Sequence, residues 1–136
     1  VDSGFSKIEI FSKITEVYNK PISITKFKDS VRVNFFSFKG ELVSTLSAYY
    51  GEINFSEGKM FVRDSVRLFN LKKKQTLQTE DLYWNQKDSS IYTNSSVIVK
   101  TPKAYFYGEG IRTNQEFSKY TFIKPKGTLN LNSVEH

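Results

Sequence analysis

Several residue types that support common enzyme chemistries are missing or scarce in this chain of 136 residues. There is no cysteine, which excludes a disulfide framework, a cysteine-ligated zinc site and a thiol nucleophile. The one histidine is residue 136, at the chain end, which removes the Ser-His-Asp triad and most histidine general-base catalysis. We therefore expect no enzymatic activity, no metal and no cofactor.

Strong helix formers are also scarce, and strand formers take their place. Alanine occurs only at positions 48 and 104, whereas Val, Ile, Thr, Phe, Tyr and Trp make up 51 of the 136 residues. β-Branched and aromatic side chains suit a pleated, half-buried surface and lose rotamer freedom in a helix. No apolar run reaches the ~18 to 20 residues of a membrane span. The composition predicts one all-β domain over residues 1–132, followed at 133–136 by a disordered tail or the remnant of a purification tag.

Short alternating apolar runs, separated by polar and glycine-rich turns, predict the strands. Pro102 and Pro125 are predicted to end strands because proline lacks a ladder N–H, and Gly108-Glu109-Gly110 is interpreted as a bend. The predicted strands are 5–11, 14–18, 22–27, 31–38, 42–50, 60–63, 66–71, 76–84, 90–93, 97–101, 104–107, 111–114, 120–124 and 128–131.

An internal repeat appears when the chain is shifted by 31 residues. Residues 46–48 then meet 77–79, 60–62 meet 91–93, and 66–68 meet 97–99, without a gap. A shortened third copy is predicted, in which 111–113 correspond to 77–79 and 120–123 complete the unit. Stacked units of this kind predict a long folded sheet with open ends.

The repeat places apolar residues in phase, so that they share one face of the sheet. Bends at 64–65 and 95–96 are expected to curl the sheet around this face and form an apolar groove. The predicted groove residues are Ala48, Met60, Val62, Val66, Leu68, Ile91, Val97, Val99 and Ile111.

The repeat resembles that of the lipopolysaccharide-transport proteins LptA and LptC. The matching segments are LSAYYG at 46–51 and MFVRDSVRL at 60–68. Four further segments resemble the LptC branch, in the style of its Bacteroidetes members: DSGF at 2–5, LQTEDLYWNQKDSSIYTN at 77–94, GEGIRTNQEFSKY at 108–120 and KPKG at 124–127. Residues 13–30 have weaker repeat character.

The resemblance implies a twisted, open β-jellyroll of antiparallel strands with an apolar interior groove, located in the periplasm. It implies an N-terminal inner-membrane anchor ahead of Val1, the first residue of this chain. Such a module accepts lipopolysaccharide from the inner-membrane export ABC transporter and passes it to an LptA-like periplasmic protein through edge-strand pairing. The nine groove residues are then the expected lipid contacts.

Three alternative functions were weighed against this expectation. The net charge of +6 and the many aromatic residues suggest nucleic acid, but there is no RNP-like motif and no dense basic stripe, so we predict no nucleic-acid partner. An LptA-like soluble bridge protein and a carbohydrate-binding or adhesive β-module remain open. The run Lys72-Lys73-Lys74 is interpreted as a solvated hairpin tip, with attraction to lipid phosphates as the alternative.

Overall fold

The computed structural model describes residues 5–131, with residues 5 and 6 described by their backbone alone. The predicted tail at 133–136, residue 132 and the first three residues of DSGF lie outside that range. Nine strands follow one another along the described chain: β1 (Phe5–Tyr18), β2 (Ile24–Ser37), β3 (Leu42–Ala48), β4 (Tyr50–Asn54), β5 (Lys59–Asn70), β6 (Gln75–Asn85), β7 (Ser90–Lys100), β8 (Ala104–Asn114) and β9 (Tyr120–Asn130).

All nine strands belong to one antiparallel sheet, which confirms the prediction of an all-β fold. Their order is β1-β2-β3-β5-β6-β7-β8-β9, and β4 continues the line of β3 by pairing with β2 and β5. Nearly every strand is therefore hydrogen-bonded to its neighbour in sequence, as expected for alternating runs joined by short turns. Within the described chain, β1 and β9 form the two edges.

One line of irregular pairing crosses the whole sheet and divides it into two half-sheets. The pairing shifts between Ser12 and Ile14, between Arg63 and Val66, and between Thr93 and Ser96. Asp64 and Ser65 adopt left-handed φ angles of 72° and 53°, which bend the strand locally. The predicted bends at 64–65 and 95–96 are thus the sites of register shifts.

Several predicted strand boundaries were wrong because of these bends. Predicted pairs such as 60–63 with 66–71, or 90–93 with 97–101, are single strands that continue through a bulge. In contrast, predicted strand 42–50 is interrupted at Tyr49, which separates β3 from β4. Pro125 does not end a strand: it lies inside β9, beside the register shift between Tyr107 and Gly108. An edge strand tolerates proline because one side of its backbone needs no ladder N–H.

The 31-residue repeat is visible in the strand pairing. Leu46 pairs with Leu68, and Leu77 pairs with Val99, so both partners are displaced by 31 residues. The same holds for Ile53 with Met60 and Trp84 with Ile91. The first repeat pairs β3 and β4 with β5, and the second pairs β6 with β7.

The third copy was predicted in the wrong alignment. Thr113 pairs with Tyr120 as Trp84 pairs with Ile91, a displacement of 29 residues, which makes Ile111 equivalent to Leu82 rather than to Leu77. The physical reason is the length of one hairpin tip. The β5–β6 tip holds residues 71–74, whereas Thr101 and Ala104 close the β7–β8 tip around residues 102 and 103 alone.

Candidate functional site

All nine predicted groove residues point into the interior between the half-sheets. They belong to one hydrophobic cluster, and the most exposed of them, Ala48, is only 7% exposed. The predicted common apolar face is therefore confirmed. Along these positions the interior is filled by side chains, and lipid contact by them stays a prediction.

Beyond the apolar residues, a row of polar side chains lines the rim of one half-sheet. Ser44 pairs with Asn70 and Asn70 with Gln75, and all three are buried. They occupy inward positions two residues from Leu46, Leu68 and Leu77, since strand side chains alternate between faces. Buried polar groups at such positions need hydrogen-bond partners.

Their partners are three consecutive carbonyls of the β8–β9 loop, residues 115–119. Ser44 Oγ donates to the carbonyl of Gln115 at 2.7 Å, Asn70 Nδ2 to that of Glu116 at 2.6 Å, and Gln75 Nε2 to that of Phe117 at 2.7 Å. The loop therefore lies along this rim in place of a further strand.

The same loop is attached to the other half-sheet through the tryptophan. Trp84 Nε1 donates to Gln115 Oε1 at 2.8 Å, and the Trp84 ring meets that of Phe35 edge-on at 5.3 Å between centroids. Gln75 and Trp84 are nine residues apart on β6, which is about 30 Å along a straight strand. Because both bind the short β8–β9 loop, β6 must fold back, and the loop closes the open side between the half-sheets.

The closed loop holds two locally unfavourable features. Phe117 is fully buried with a left-handed φ of 53°, and Gln115 Nε2 is buried without a hydrogen-bond partner among the described residues. Features of each kind typically cost about 1–3 kcal/mol. Burial of the Phe117 ring against Tyr120, at 5.4 Å between centroids, offsets this cost.

A lysine from the β5–β6 tip also reaches this loop. Lys73 Nζ donates to the carbonyl of Ser118 at 2.7 Å, while Lys72 and Lys74 are exposed beside it. The three lysines thus lie at a hairpin tip, as predicted. The tip stands next to the loop that closes the interior.

The interior face is uncovered at the C-terminal part of β1, whereas Ile8 and Ile10, nearer its other end, pack against the core. Val17 pairs with Thr25, which pairs with the buried Ile53, so Val17 faces the interior, yet it is 65% exposed. Ile14, on the same strand, pairs with Lys28 and faces outward. Thr15, which pairs with the buried Phe27, is exposed as well, so the interior face is uncovered over residues 15–17.

The outer face carries a row of aromatic rings across β5, β6 and β7. Phe61 and Tyr83 lie 5.0 Å apart, Tyr83 and Tyr92 are stacked at 5.3 Å, and the Arg112 guanidinium lies over the Tyr92 ring. Tyr83 and Tyr92 thus stack on each other, and both stay partly exposed on the outer face.

Electrostatic perturbation is strongest at Tyr50, at the start of β4. Burial and the hydrogen bond that its hydroxyl donates to Glu52, 2.6 Å away, raise the pKa of Tyr50 to about 12. The Arg63 guanidinium lies 4.2 Å from the ring centroid and opposes this shift. The proton on Tyr50 therefore has a structural role.

Over residues 5–131, no cluster of three or more His, Asp or Glu side chains is arranged to hold a metal. The same residues contain no helix with the length and hydropathy needed to cross a membrane. The chain matches no protein-family model and no curated protein sequence. The LptC resemblance therefore remains a proposal that rests on the residues quoted above.

Sequence reasoning missed the polar rim and the β8–β9 loop. The available signals were polar residues at inward positions, at Ser44, Asn70 and Gln75, and a single phenylalanine inside an otherwise polar loop. Neither signal predicts which residues form the hydrogen bonds, because the bonded residues are 42 to 71 positions apart in the chain.

Proposed function

We propose that this chain is a non-enzymatic periplasmic lipid-transfer module of the LptC kind. It accepts lipopolysaccharide from the inner-membrane export ABC transporter and passes it to an LptA-like periplasmic protein. The observation that carries the proposal is the single apolar interior between two half-sheets, closed on one side by the β8–β9 loop and uncovered at the C-terminal part of β1, around Val17. Membrane anchoring by an upstream segment is part of the proposal and comes from the resemblance alone.

Acyl chains supply the driving force for entry into such an interior. Each buried methylene contributes roughly 0.8 kcal/mol, so a few methylenes outweigh a single hydrogen bond of about 1 kcal/mol. Because the interior is filled, an acyl chain enters as the half-sheets separate. On the closed side, three buried side chains donate hydrogen bonds to loop carbonyls in place of a continuous strand ladder, so fewer hydrogen bonds must break for this side to open.

The sheet edges provide the proposed joints to partner proteins. Within the described chain, β1 pairs only with β2 and β9 only with β8, so each keeps one unpaired backbone edge. Such edges accept a further strand by main-chain hydrogen bonding. Pairing at both ends aligns the interior of this module with the interiors of its neighbours.

A photo-crosslinking amino acid at position 17 tests the proposal against a matched control at position 14. Val17 faces the interior and Ile14 faces outward on the same strand, and they are 65% and 43% exposed. We expect purified lipopolysaccharide to be captured at position 17 and not at position 14. Equal capture at both positions, or none at either, contradicts an interior lipid path.

Two outcomes point to the alternatives. A full-length gene product that has no hydrophobic anchor ahead of Val1 favours the LptA-like soluble bridge. Binding on a glycan array without capture of lipopolysaccharide at position 17 favours a carbohydrate-binding or adhesive module.

A further inference from the structure

A second cleft lies on the outer face of the sheet, on the side opposite the interior. It has a volume of about 860 Å³ and crosses β1, β2, β3 and β5 at the bend. Its floor is a laterally paired row in which Phe11 meets Arg32, Arg32 meets Ser47, and Ser47 meets Arg67. These residues alternate with buried Val33, Leu46 and Leu68, which fixes the row on the outer face.

The charge of the cleft lining is entirely positive. Lys13, Arg32 and Arg67 contribute cations, and the lining contains no carboxylate. None of the three forms an ion pair with another residue of the described chain. The nearby acidic side chain of Asp64 is already bound by Arg63 at 2.7 Å. Three basic groups without counter-ions around one concavity favour an anionic ligand.

The spacing of the two arginines suits a ligand larger than a single small ion. They lie two strands apart, which separates their backbones by about 10 Å, with Ser47 between them. Guanidinium groups bind phosphate or carboxylate through two parallel hydrogen bonds. Both long side chains can therefore reach one anionic group, or hold two such groups on one molecule.

The remaining lining groups suit a sugar. Ser30, Ser47 and Ser65 line the cleft, together with the exposed aromatic residues Phe11 and Tyr49. Hydroxyl groups exchange hydrogen bonds with sugar hydroxyls, and aromatic rings pack on the apolar faces of sugar rings. The volume lies within the range of sites that bind small molecules.

We propose that this outer cleft binds an anionic saccharide, with Arg32 and Arg67 holding its phosphate or carboxylate. Beyond Arg67 the cleft adjoins a smaller hollow of about 330 Å³ over β5 to β7. The lining of this hollow includes the acidic residue Glu80, so it is no longer purely positive. The inference does not depend on the proposed lipid path, because Arg32 and Arg67 lie on the outer face of the sheet. Val31 and Ala48 also border the cleft, at the bend, but both are buried in the core.

Amide chemical shifts of the folded chain, recorded during titration, test the inference. The probes are glucose 6-phosphate, glucose and inorganic phosphate. We expect glucose 6-phosphate to shift the amides of Arg32, Ser47 and Arg67 and to bind at least about tenfold more tightly than either other probe. Equal affinity for inorganic phosphate, or shifts spread over the whole surface, overturns the saccharide site.

Three arginine variants distinguish binding in the cleft from nonspecific attraction by the positive charge of the protein. Both Arg32→Gln and Arg67→Gln should weaken binding of glucose 6-phosphate by about tenfold or more. Arg112→Gln is the matched control, since it removes an outer-face arginine that packs on Tyr92 outside the cleft. All three positions are exposed, so thermal melting should show intact folds. Unchanged affinity in the two cleft variants overturns the proposal.

A competition experiment with lipid vesicles distinguishes a soluble ligand from a lipid headgroup. Phosphatidylcholine vesicles containing lipid A are compared with vesicles in which phosphatidylglycerol supplies the same charge. Competition with glucose 6-phosphate by lipid A vesicles alone identifies a lipid-linked saccharide, and competition by neither identifies a soluble one. Equal competition by both kinds of vesicle indicates nonspecific charge attraction and overturns the site.

Discussion

Truncation of Phe117 to alanine removes the one apolar anchor of the β8–β9 loop. The ring is 0% exposed and packs on Tyr120, while the rest of the loop is held by hydrogen bonds to the polar rim. Phe-to-Ala changes at buried sites cost about 3–5 kcal/mol, through lost transfer free energy and the cavity left behind. That is a large fraction of the roughly 5–15 kcal/mol that stabilises a typical domain.

The backbone conformation of Phe117 also affects how much stability each substitution is expected to cost. Phe117 has a φ of 53°, a conformation that alanine disfavours as phenylalanine does, so Phe117→Ala keeps the backbone strain and loses only the ring. Glycine accepts this conformation freely. Phe117→Gly is therefore expected to be more stable than Phe117→Ala by up to about 1 kcal/mol, although it lacks the same ring.

Urea unfolding followed by tryptophan fluorescence measures these differences. Trp84 is the only tryptophan and donates to Gln115 of the loop, so its emission reports both loop detachment and global unfolding. Phe55→Ala is the control, because this ring is 64% exposed, and its loss should change stability by less than about 0.5 kcal/mol. A Phe117→Ala loss below about 1 kcal/mol, or one equal to the control, refutes the assigned role of the loop.

Three further predictions concern the bends and the outer face. Gly108→Ala should destabilise the fold by about 1–3 kcal/mol in urea unfolding, because the new Cβ would lie 2.5 Å from the Phe122 ring, whereas Gly127→Ala, with open space around it, should be nearly neutral. Asp81→Ala should cost about 1–3 kcal/mol by the same assay, since this carboxylate accepts hydrogen bonds from the hydroxyls of two side chains on β7. The raised pKa of Tyr50 stabilises the fold below pH 10, and this contribution is lost as the pH rises to about 12. Stability measured across that range should therefore fall less in Tyr50→Phe than in the parent chain, and equal falls would contradict the assignment.

Local alternation and the repeat were readable from the sequence because strand geometry has a period of two. An in-phase residue such as Val66 or Val97 shares a face with its neighbour two positions on, whatever the rest of the fold does. The repeat also relates pairs of residues 31 positions apart in the chain, because two copies of one unit pair their strands in the same register. Composition indicated the fold class, since 51 of the 136 residues are β-branched or aromatic and alanine occurs only twice.

Strand continuity depended on the sheet as a whole. The residues at Asp64 and Ser65 look like a turn in sequence, yet their neighbours on both sides stay paired with β6, and β5 continues through the bulge. Pro125 looks like a strand end and is tolerated because β9 is an edge. The third copy was misaligned because the deletion that shifts it lies in a hairpin tip, outside the residues that resemble each other.

The amino-acid sequence by itself determined an all-β fold with one apolar face. Tertiary structure alone decided how that face is covered, because folding back of the half-sheets brings Gln75 and Trp84 to one short loop. It also decided where Arg32 and Arg67 meet, since lateral pairing joins residues 35 positions apart in the chain. Strand period is a local property, whereas closure of the interior and convergence of charge depend on contacts between distant segments.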